Sequence, residues 1–285
     1  MELTDINVIK RILGRHGFSF SKALGQNFLI DPAVCPKMAE LGGADAGKCM
    51  IEIGPGLGVL TVELAKRADR VVTVELDPRL IPVLAETLTD YRNVEVINAD
   101  VLKTDLHALI AEKFDGKPVS VCANLPYYIT SPIIMYLLES RLPVENITVM
   151  VQKEAADRLC AEVGSRDSGA ITVAVNYYAE TEQLFDVDRT CFTPSPNVDS
   201  CVIRLKVRKE PPVKVENEEF FFRMVKAAFS QRRKTAANGI SSGLGIAKDK
   251  VNEALTLSGL SVTVRAEALT MEELSVLSDN LLKVR

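Results

Sequence analysis

Four short stretches in the first half of this 285-residue sequence carry side chains that suit the binding of a nucleotide-like ligand. Residues 54–58 have the pattern G-x-G-x-G, which lets the backbone turn sharply and approach a ligand closely. Glu75 can accept hydrogen bonds from both hydroxyls of a ribose, and Asp100 can accept one from an exocyclic amine. The fourth stretch, NLPY at 124–127, places amide and carbonyl oxygens beside an aromatic ring.

Each of these stretches has a structural alternative when it is taken alone. The glycines fit a strand–turn–helix without a ligand, Glu75 fits a solvated strand end, and Asp100 fits a helix cap or turn. Binding is favoured by their order, because each lies at the carboxyl end of a predicted strand, at 49–53, 70–76, 93–99 and 118–123. The carboxyl ends of parallel strands lie at the edge of an open sheet where ligands bind. We therefore expect the four stretches to form one site.

The elements that must position this site alternate between strand and helix from about residue 48 to 162, with a fifth strand at 147–152. This alternation predicts an α/β fold with a mostly parallel, doubly wound sheet. Strands predicted at 171–178 and 200–207, without a helix between them, indicate an antiparallel last strand. The charged, proline-bearing segment 208–216 predicts a linker, and the rest is helical with a flexible break at 241–245. We expect one domain over residues 1–207 and a small all-α domain over 208–285.

Composition limits the possible functions. Hydrophobic residues make up 47% and charged residues 25%, as in ordinary globular domains, and the net charge of −4 restricts any nucleic-acid binding to local basic patches. Six scattered cysteines without a CxxC pair and two histidines argue against a metal site, and such cysteines suit a reducing, cytoplasmic location. No apolar run approaches the length of a membrane span, so we expect no membrane association.

Longer motifs add a family resemblance. LGQNFLID at 24–31, NLPYYI at 124–129, FTPSPNVDS at 192–200 and FSQRRKT at 229–235, together with the glycine stretch, Glu75 and Asp100, resemble the rRNA adenine dimethyltransferase family. Within that family the closest type is bacterial and modifies small-subunit rRNA. The resemblance implies a Rossmann-like class I methyltransferase sheet with a small all-α C-terminal domain.

The same resemblance implies an activity. It predicts transfer of methyl groups from S-adenosylmethionine to N6 of two adjacent adenosines in a hairpin near the 3′ end of 16S rRNA, during small-subunit biogenesis. The expected partner is 16S rRNA within the immature 30S subunit, and the enzyme is expected to be monomeric. Two alternatives stay open at this point: a 23S rRNA adenine dimethyltransferase that confers antibiotic resistance, and a non-catalytic assembly or nucleic-acid-binding factor. The intact glycine and NLPY motifs favour catalysis.

The family pattern assigns cofactor contacts to a set of residues spread over the predicted domain. Gly54 and Gly56 would wrap the methionyl end of the cofactor, Glu75 would hold its ribose, and Asp100 would hold its adenine. The remaining predicted contacts come from the N-terminal loop, the turn after the third strand and the NLPY stretch: Asn27, Leu29, Val101 and Asn124.

Catalysis is expected at NLPY. The Asn124 side chain and the backbone carbonyl of Leu125 or Pro126 would accept the N6 hydrogens of the target adenine and localise the nitrogen lone pair. Tyr127 would stack on the extruded base, as is usual for flipped bases, with Phe192 as the opposing face or as a core anchor of its loop. Tyr128 is expected to pack inward.

Basic residues in two places are predicted to bind RNA. Arg204 and Lys206 alternate along the last predicted strand and therefore share one face. Arg232, Arg233 and Lys234 form a cluster in a stretch without acids from 220 to 248. Contacts with phosphates would make the affinity depend on salt. The alternative is that these side chains are merely solvated.

Overall fold

A computed structural model describes residues 1–18, 27–231 and 233–285 of the chain. It divides into two compact units. The first comprises Met1–Ala156 with Thr181–Val207, and the second comprises Asp157–Glu180 with Arg208–Arg285. Within the described residues, no helix combines the length and apolar character needed to cross a membrane.

The strands are β1 (Phe28–Leu29), β2 (Cys49–Ile53), β3 (Arg70–Glu75), β4 (Val94–Asn98), β5 (Val119–Asn124), β6 (Val144–Gln152), β7 (Ala179–Val187), β8 (Phe192–Thr193) and β9 (Ser200–Val207). The helices are α1 (Ile6–Arg15), α2 (Val34–Leu41), α3 (Val59–Ala65), α4 (Ile81–Thr87), α5 (Leu106–Lys113), α6 (Thr130–Glu139), α7 (Lys153–Leu159), α8 (Ala170–Tyr178), α9 (Glu218–Ala228), α10 (Ala236–Leu244), α11 (Lys248–Leu257) and α12 (Met271–Val284).

The described residues form a seven-stranded sheet in the order β4-β3-β2-β5-β6-β9-β7. Its central strands are continuous apolar runs because both of their faces are covered, and every residue of β2 is buried. β2 runs parallel to β3 and β5, β3 to β4, and β5 to β6. β9 runs antiparallel to β6, with Gln152 opposite Ser200. The predicted α/β class, with a mostly parallel sheet and an antiparallel last strand, is confirmed.

The register of the parallel strands brings their carboxyl ends to one edge. Ile53 pairs with Val74, Glu75 pairs with Asn98, and Asn124 pairs with Met150. The chain leaves this edge through short turns, one of which is capped by Asp77, whose carboxylate accepts from the Arg79 N–H at 3.0 Å. Because the strand order is β4-β3-β2-β5, the polar turns after these four strands lie side by side.

One predicted strand is wrong: residues 171–178 lie within helix α8. Their β-branched and aromatic side chains favour a strand, but tertiary packing decides. The Thr172 hydroxyl donates to the Arg158 carbonyl at 2.7 Å and accepts from the Gly169 N–H at 3.0 Å, which fixes the first turn of the helix. The hydroxyls of Tyr177 and Tyr178 reach Glu218 at 3.0 and 3.1 Å. The strand that joins the sheet here is β7, directly after this helix.

The predicted flexible break at 241–245 is also wrong, because residues up to Leu244 belong to α10. A Cβ atom at Gly239 would lie 2.6 Å from the Ala227 carbonyl oxygen, and one at Gly243 would lie 2.6 Å from the Ala227 Cβ. Glycine is needed at both positions so that α10 can approach α9 closely. Gly245 then ends the helix in the left-handed conformation, at φ 67°.

Candidate active site

The glycine turn after β2 depends on left-handed backbone conformations. Gly54, Gly56 and Gly58 have φ values of 67°, 58° and 87°, which are strained for any residue with a Cβ. The three positions differ in their surroundings. A Cβ at Gly58 would lie 3.0 Å from Leu88, and one at Gly56 would lie 3.4 Å from Phe28, whereas one at Gly54 would meet nothing within 4 Å. Gly54 therefore borders open space.

That open space is a cleft at the carboxyl edge of the sheet, holding about 1220 Å³ with its open mouth included. The predicted cofactor and catalytic residues all line it: Asn27, Leu29, Gly54, Gly56, Glu75, Asp100, Val101, Asn124, Leu125, Pro126, Tyr127 and Phe192. Arg204, Lys206, Arg233 and Lys234 are not among its lining residues, and Arg232 lies outside the described residues. The expectation of one cleft at the strand ends agrees with this geometry.

Glu75 lies in the wall of the cleft with 6% of its surface exposed. Its carboxylate accepts from the Asp77 N–H at 2.7 Å and also from the N–H groups of Gly56 and Leu76. Burial raises the pKa of Glu75, and the backbone N–H groups oppose that shift without cancelling it. The carboxylate is therefore held rigidly, as an acceptor in a poorly hydrated place.

Asp100 is more open to solvent, with 31% of its side chain exposed. Its carboxylate accepts from the Leu102 N–H at 3.1 Å and pairs with the Lys103 ammonium at 3.4 Å. Asp100 therefore caps the following turn, as the structural alternative predicts, and it also faces the cleft. Val101 is buried beside it.

The NLPY stretch continues β5 beyond its last strand residue, Asn124. The Leu125 N–H donates to the Met150 carbonyl at 3.3 Å, which ties the stretch to β6. The Pro126 carbonyl accepts from the Ile129 N–H at 3.1 Å and from the Thr130 hydroxyl at 3.2 Å. Both lone pairs of that oxygen are therefore in use. Of the two candidate carbonyls, the one on Leu125 is better placed to accept from a ligand.

Tyr127 is oriented by a partner that the sequence did not reveal. Its hydroxyl lies 2.7 Å from the hydroxyl of Ser200, a fully buried residue at the start of β9. Burial raises the pKa of Tyr127. Ser200 is the last residue of the FTPSPNVDS motif, so membership of the motif was the available signal. Tyr128, in contrast, is 57% exposed, and the expectation that it packs inward is wrong.

Phe192 joins the two loops that close the cleft. β8 pairs antiparallel with β1, with Leu29 opposite Phe192, and the Ile30 N–H donates to the Cys191 carbonyl at 2.8 Å. Phe192 is buried in an apolar cluster and also lines the cleft, so both of its predicted interpretations agree with its position. The segment from Asn27 onward and the loop of Phe192 thus form one small sheet.

Glu52, like Ser200, is a residue of the cleft region that was not predicted from the sequence. It belongs to the cleft lining but is almost fully buried near the carboxyl end of β2, where the Thr61 hydroxyl donates to it at 2.5 Å. Burial raises the pKa of Glu52 to about 8. Its signal in the sequence was an acid within an apolar strand.

The predicted RNA-binding cations differ in their surroundings. Arg204 forms an ion pair with Glu182 and donates to the Leu41 carbonyl, while Lys206, on the same strand face, is exposed. In the second unit, Arg233 and Lys234 are both exposed in the loop between α9 and α10. Within residues 1–18, 27–231 and 233–285, no group of three or more His, Cys, Asp or Glu could hold a metal ion.

Comparisons with known proteins agree with the geometry. The profile of the family described as "Ribosomal RNA adenine dimethylase" matches residues 17–278. The "Ribosomal RNA small subunit methyltransferase A" of Geobacillus thermodenitrificans is 52% identical over 96% of this chain and 94% of its own length. The protein of the same name from Alkaliphilus oremlandii is 50% identical over 96% of both chains.

Two solved structures are similar over nearly the whole chain. The 23S rRNA methyltransferase ErmE is 31% identical, with a TM-score of 0.67, and the match covers 90% of this chain and 99% of that chain. A dimethyladenosine transferase from Plasmodium falciparum is 25% identical, with a TM-score of 0.70, and the match covers 88% of this chain and 95% of that chain.

Proposed function

The chain belongs to the ribosomal RNA adenine dimethylase family, and on this premise we propose that it dimethylates N6 of two adjacent adenosines in a hairpin near the 3′ end of 16S rRNA. The methyl donor is S-adenosylmethionine, and the modification accompanies small-subunit biogenesis in the cytoplasm. The observation that carries the proposal is the common cleft in which Gly54, Glu75, Asp100 and NLPY lie. A monomer acting on 16S rRNA within the immature 30S subunit is part of the proposal.

The residues of the cleft fit S-adenosylmethionine. The space next to Gly54, which a side chain would fill, gives a ligand access to the backbone of the glycine turn. Glu75 offers a fixed carboxylate for ribose hydroxyls, and Asp100 offers one for an adenine amine, with Val101 against the ring. Asn27 and Leu29 close the same cleft from the N-terminal side. When bound, S-adenosylmethionine supplies a sulfonium methyl group, which is already a good electrophile.

The task of the protein is to improve the nucleophile, since the lone pair of an adenine N6 is delocalised into the ring. Asn124 Oδ1 and the Leu125 carbonyl accept the two N6 hydrogens, which favours a more tetrahedral nitrogen with a localised lone pair. Positioning of this kind supplies a large part of many enzymatic rate enhancements. The nitrogen becomes cationic as its new bond forms, so its proton is acidic enough to pass to water without a strong base.

The aromatic residues position the base. Tyr127 stacks on the adenine on one side and Phe192 on the other, and Ser200 holds the Tyr127 ring through its hydroxyl. After the first transfer N6 keeps one hydrogen, so a second transfer needs one acceptor and room for the first methyl group. The neutral amide of Asn124 meets the first requirement.

The choice of the small subunit rests on similarity. The chain is 52% identical to a small-subunit enzyme and 31% identical to a 23S rRNA enzyme, each over at least 90% of its length. The match to the small-subunit enzyme covers 96% of this chain, and we expect the substrate to be selected by the C-terminal helices. This favours 16S over 23S rRNA.

The proposal can be tested by methyl incorporation. Purified enzyme with labelled S-adenosylmethionine is incubated with immature small subunits, with large subunits and with protein-free rRNA, and the label is followed into each rRNA. We expect label in 16S rRNA and background in 23S rRNA. Label in 23S rRNA alone, or in neither, would contradict the proposal.

A further inference from the structure

Cations near the last strand and cations on helix α9 differ in whether an acid neutralises them. Arg204 is ion-paired with Glu182, and Arg208 is ion-paired with Glu180 at 3.0 Å. Arg223 and Lys226, on α9, are exposed and form no ion pair within the described parts of the chain. The positive charge available to an anionic partner therefore lies on α9 more than on β9.

The exposed side of α9 leads directly into the basic loop. Its other side is apolar and buried, through Phe220, Phe221, Met224, Val225, Ala227 and Ala228. Arg223, Lys226 and Ser230 are spaced by three and four residues and so share the outer face. The axial distance from Arg223 to Ser230 is about 10 Å, and the loop with Arg233 and Lys234 follows immediately.

Several described residues at the junction of α9 and α10 form hydrogen bonds. The Lys234 N–H donates to the Gln231 carbonyl at 2.9 Å, the Ser230 hydroxyl donates to the Ala227 carbonyl at 2.6 Å, and Thr235 caps α10. The close approach of Gly239 and Gly243 to Ala227 then fixes α10 against α9.

The local charge is also unusual for this protein. From residue 220 to 248 the sequence has six Lys or Arg residues and no Asp or Glu, although the whole chain has a net charge of −4. Uncompensated charge of one sign is unfavourable for folding through self-repulsion, and it attracts a polyanion. A solvated helix face of no function would not need this composition.

We propose that Arg223, Lys226, Arg233 and Lys234 form one phosphate-binding surface for RNA, which we call the α9 ridge. The inference rests on the proposed function for the identity of the polyanion, and it assigns to α9 a role beyond the basic loop alone. The contacts contribute to affinity but not to sequence specificity, because phosphates are common to all sequences.

The test compares the salt dependence of RNA affinity between matched variants. The double variant Arg223→Gln/Lys226→Gln removes one Arg and one Lys charge from α9. The matched control Lys10→Gln/Arg11→Gln removes one Lys and one Arg from α1, both exposed and without an ion pair in the described residues. Binding to protein-free 16S rRNA and to immature small subunits is measured over a range of salt. Thermal melts and S-adenosylmethionine affinity confirm that each variant is folded.

We expect the α9 variant to lower the magnitude of the slope of log K against log salt by about 1.4–1.8, as for two phosphate contacts, and the α1 control to keep the wild-type slope. Arg223→Glu/Lys226→Glu should weaken binding further. Wild-type slopes for both α9 variants would overturn the ridge. Weaker binding to subunits together with unchanged binding to free rRNA would also overturn the ridge, because it would indicate a ribosomal protein as the partner. Failure of the wild type to methylate 16S rRNA would overturn the proposed function instead, and the slopes would still decide the ridge.

Discussion

Polar side chains in the cleft of the first unit are held by hydrogen bonds, whereas the basic side chains of the α9 ridge in the second unit are exposed and form no ion pair in the part of the chain that the structure describes. In the cleft, Glu75 is buried and held by the Asp77 N–H, and Tyr127 is held by Ser200. On the ridge, Arg223 and Lys226 are exposed and have no acidic partner within the described chain. Methyl transfer needs fixed orientation, which hydrogen bonds provide. Capture of RNA needs uncompensated charge, which salt screens. The difference implies that changes in the cleft alter rate or cofactor affinity, and that changes on the ridge alter salt dependence.

The largest effect is expected for Asn124→Ala. Loss of the amide acceptor leaves N6 poorly positioned, so single-turnover methyl transfer should fall by about 10²–10³-fold or more. Calorimetric affinity for S-adenosylmethionine should stay close to wild type, because Glu75, Asp100 and the glycine turn are intact. Asn7→Ala on the exposed face of α1 is the matched control. A fully active Asn124→Ala enzyme would contradict the role in positioning N6.

Glu75→Ala should weaken cofactor binding by about 1.5–3 kcal/mol, as expected for hydrogen bonds to a charged acceptor. The raised pKa of Glu75 adds a pH dependence. As the pH falls through that pKa the carboxylate is protonated and loses acceptor capacity, so affinity should fall on acidification in the wild type. In Glu75→Gln this dependence should be absent. Calorimetry over a pH series measures both effects, and an identical pH profile in the two proteins would rule out Glu75 as its source.

Glu52→Gln should stabilise the protein at neutral and alkaline pH. Burial raises the pKa of Glu52 from 4.5 to about 8, so between these values the folded state binds more protons than the unfolded state. Stability contributed by the protonated form is therefore lost as the pH rises through this window. The amide cannot ionise and keeps an oxygen for Thr61. We expect a gain on the order of 1–3 kcal/mol near pH 8 and a flatter profile in chemical denaturation. An unchanged profile would refute this.

A smaller effect is expected for the Tyr127–Ser200 hydrogen bond. Ser200→Ala and Tyr127→Phe each remove it and leave the stacking ring, so each should lower the methylation rate by about 2–10-fold. The double variant should be no slower than either single variant, because both changes remove the same bond. Ser120→Ala is the matched control, since this buried hydroxyl on β5 has no hydrogen-bond partner in the described structure. Additive losses in the double variant would show that the two residues act separately.

Much of the cleft could be predicted from sequence because its residues lie at the carboxyl ends of strands, whose apolar pattern is local. The turns after β2, β3, β4 and β5 were identified in this way. Ser200 and Tyr127 are 73 residues apart, and no local pattern reveals their hydrogen bond. For Glu52 the sequence shows an acid within an apolar strand, but it does not show the burial of this side chain, because the burial depends on neighbouring strands. The prediction of a strand at 171–178 is wrong because packing of helix α8 against its neighbours overrides the strand propensity of its residues. The stretch 241–245 suggests a flexible break because a close helix crossing, such as the one at Gly243, leaves no distinct local signal.

The most direct test of the account is nucleotide-resolution mass mapping of methylated adenines in 16S rRNA. Immature small subunits are incubated with S-adenosylmethionine and either the wild type or Asn124→Ala, and fragments of the rRNA are sequenced by mass. The account predicts dimethylation of two adjacent adenosines near the 3′ end with the wild type and, after the same short incubation, at least about 10²-fold less with Asn124→Ala. Methylation at other adenines, or equal modification by both proteins, would contradict it.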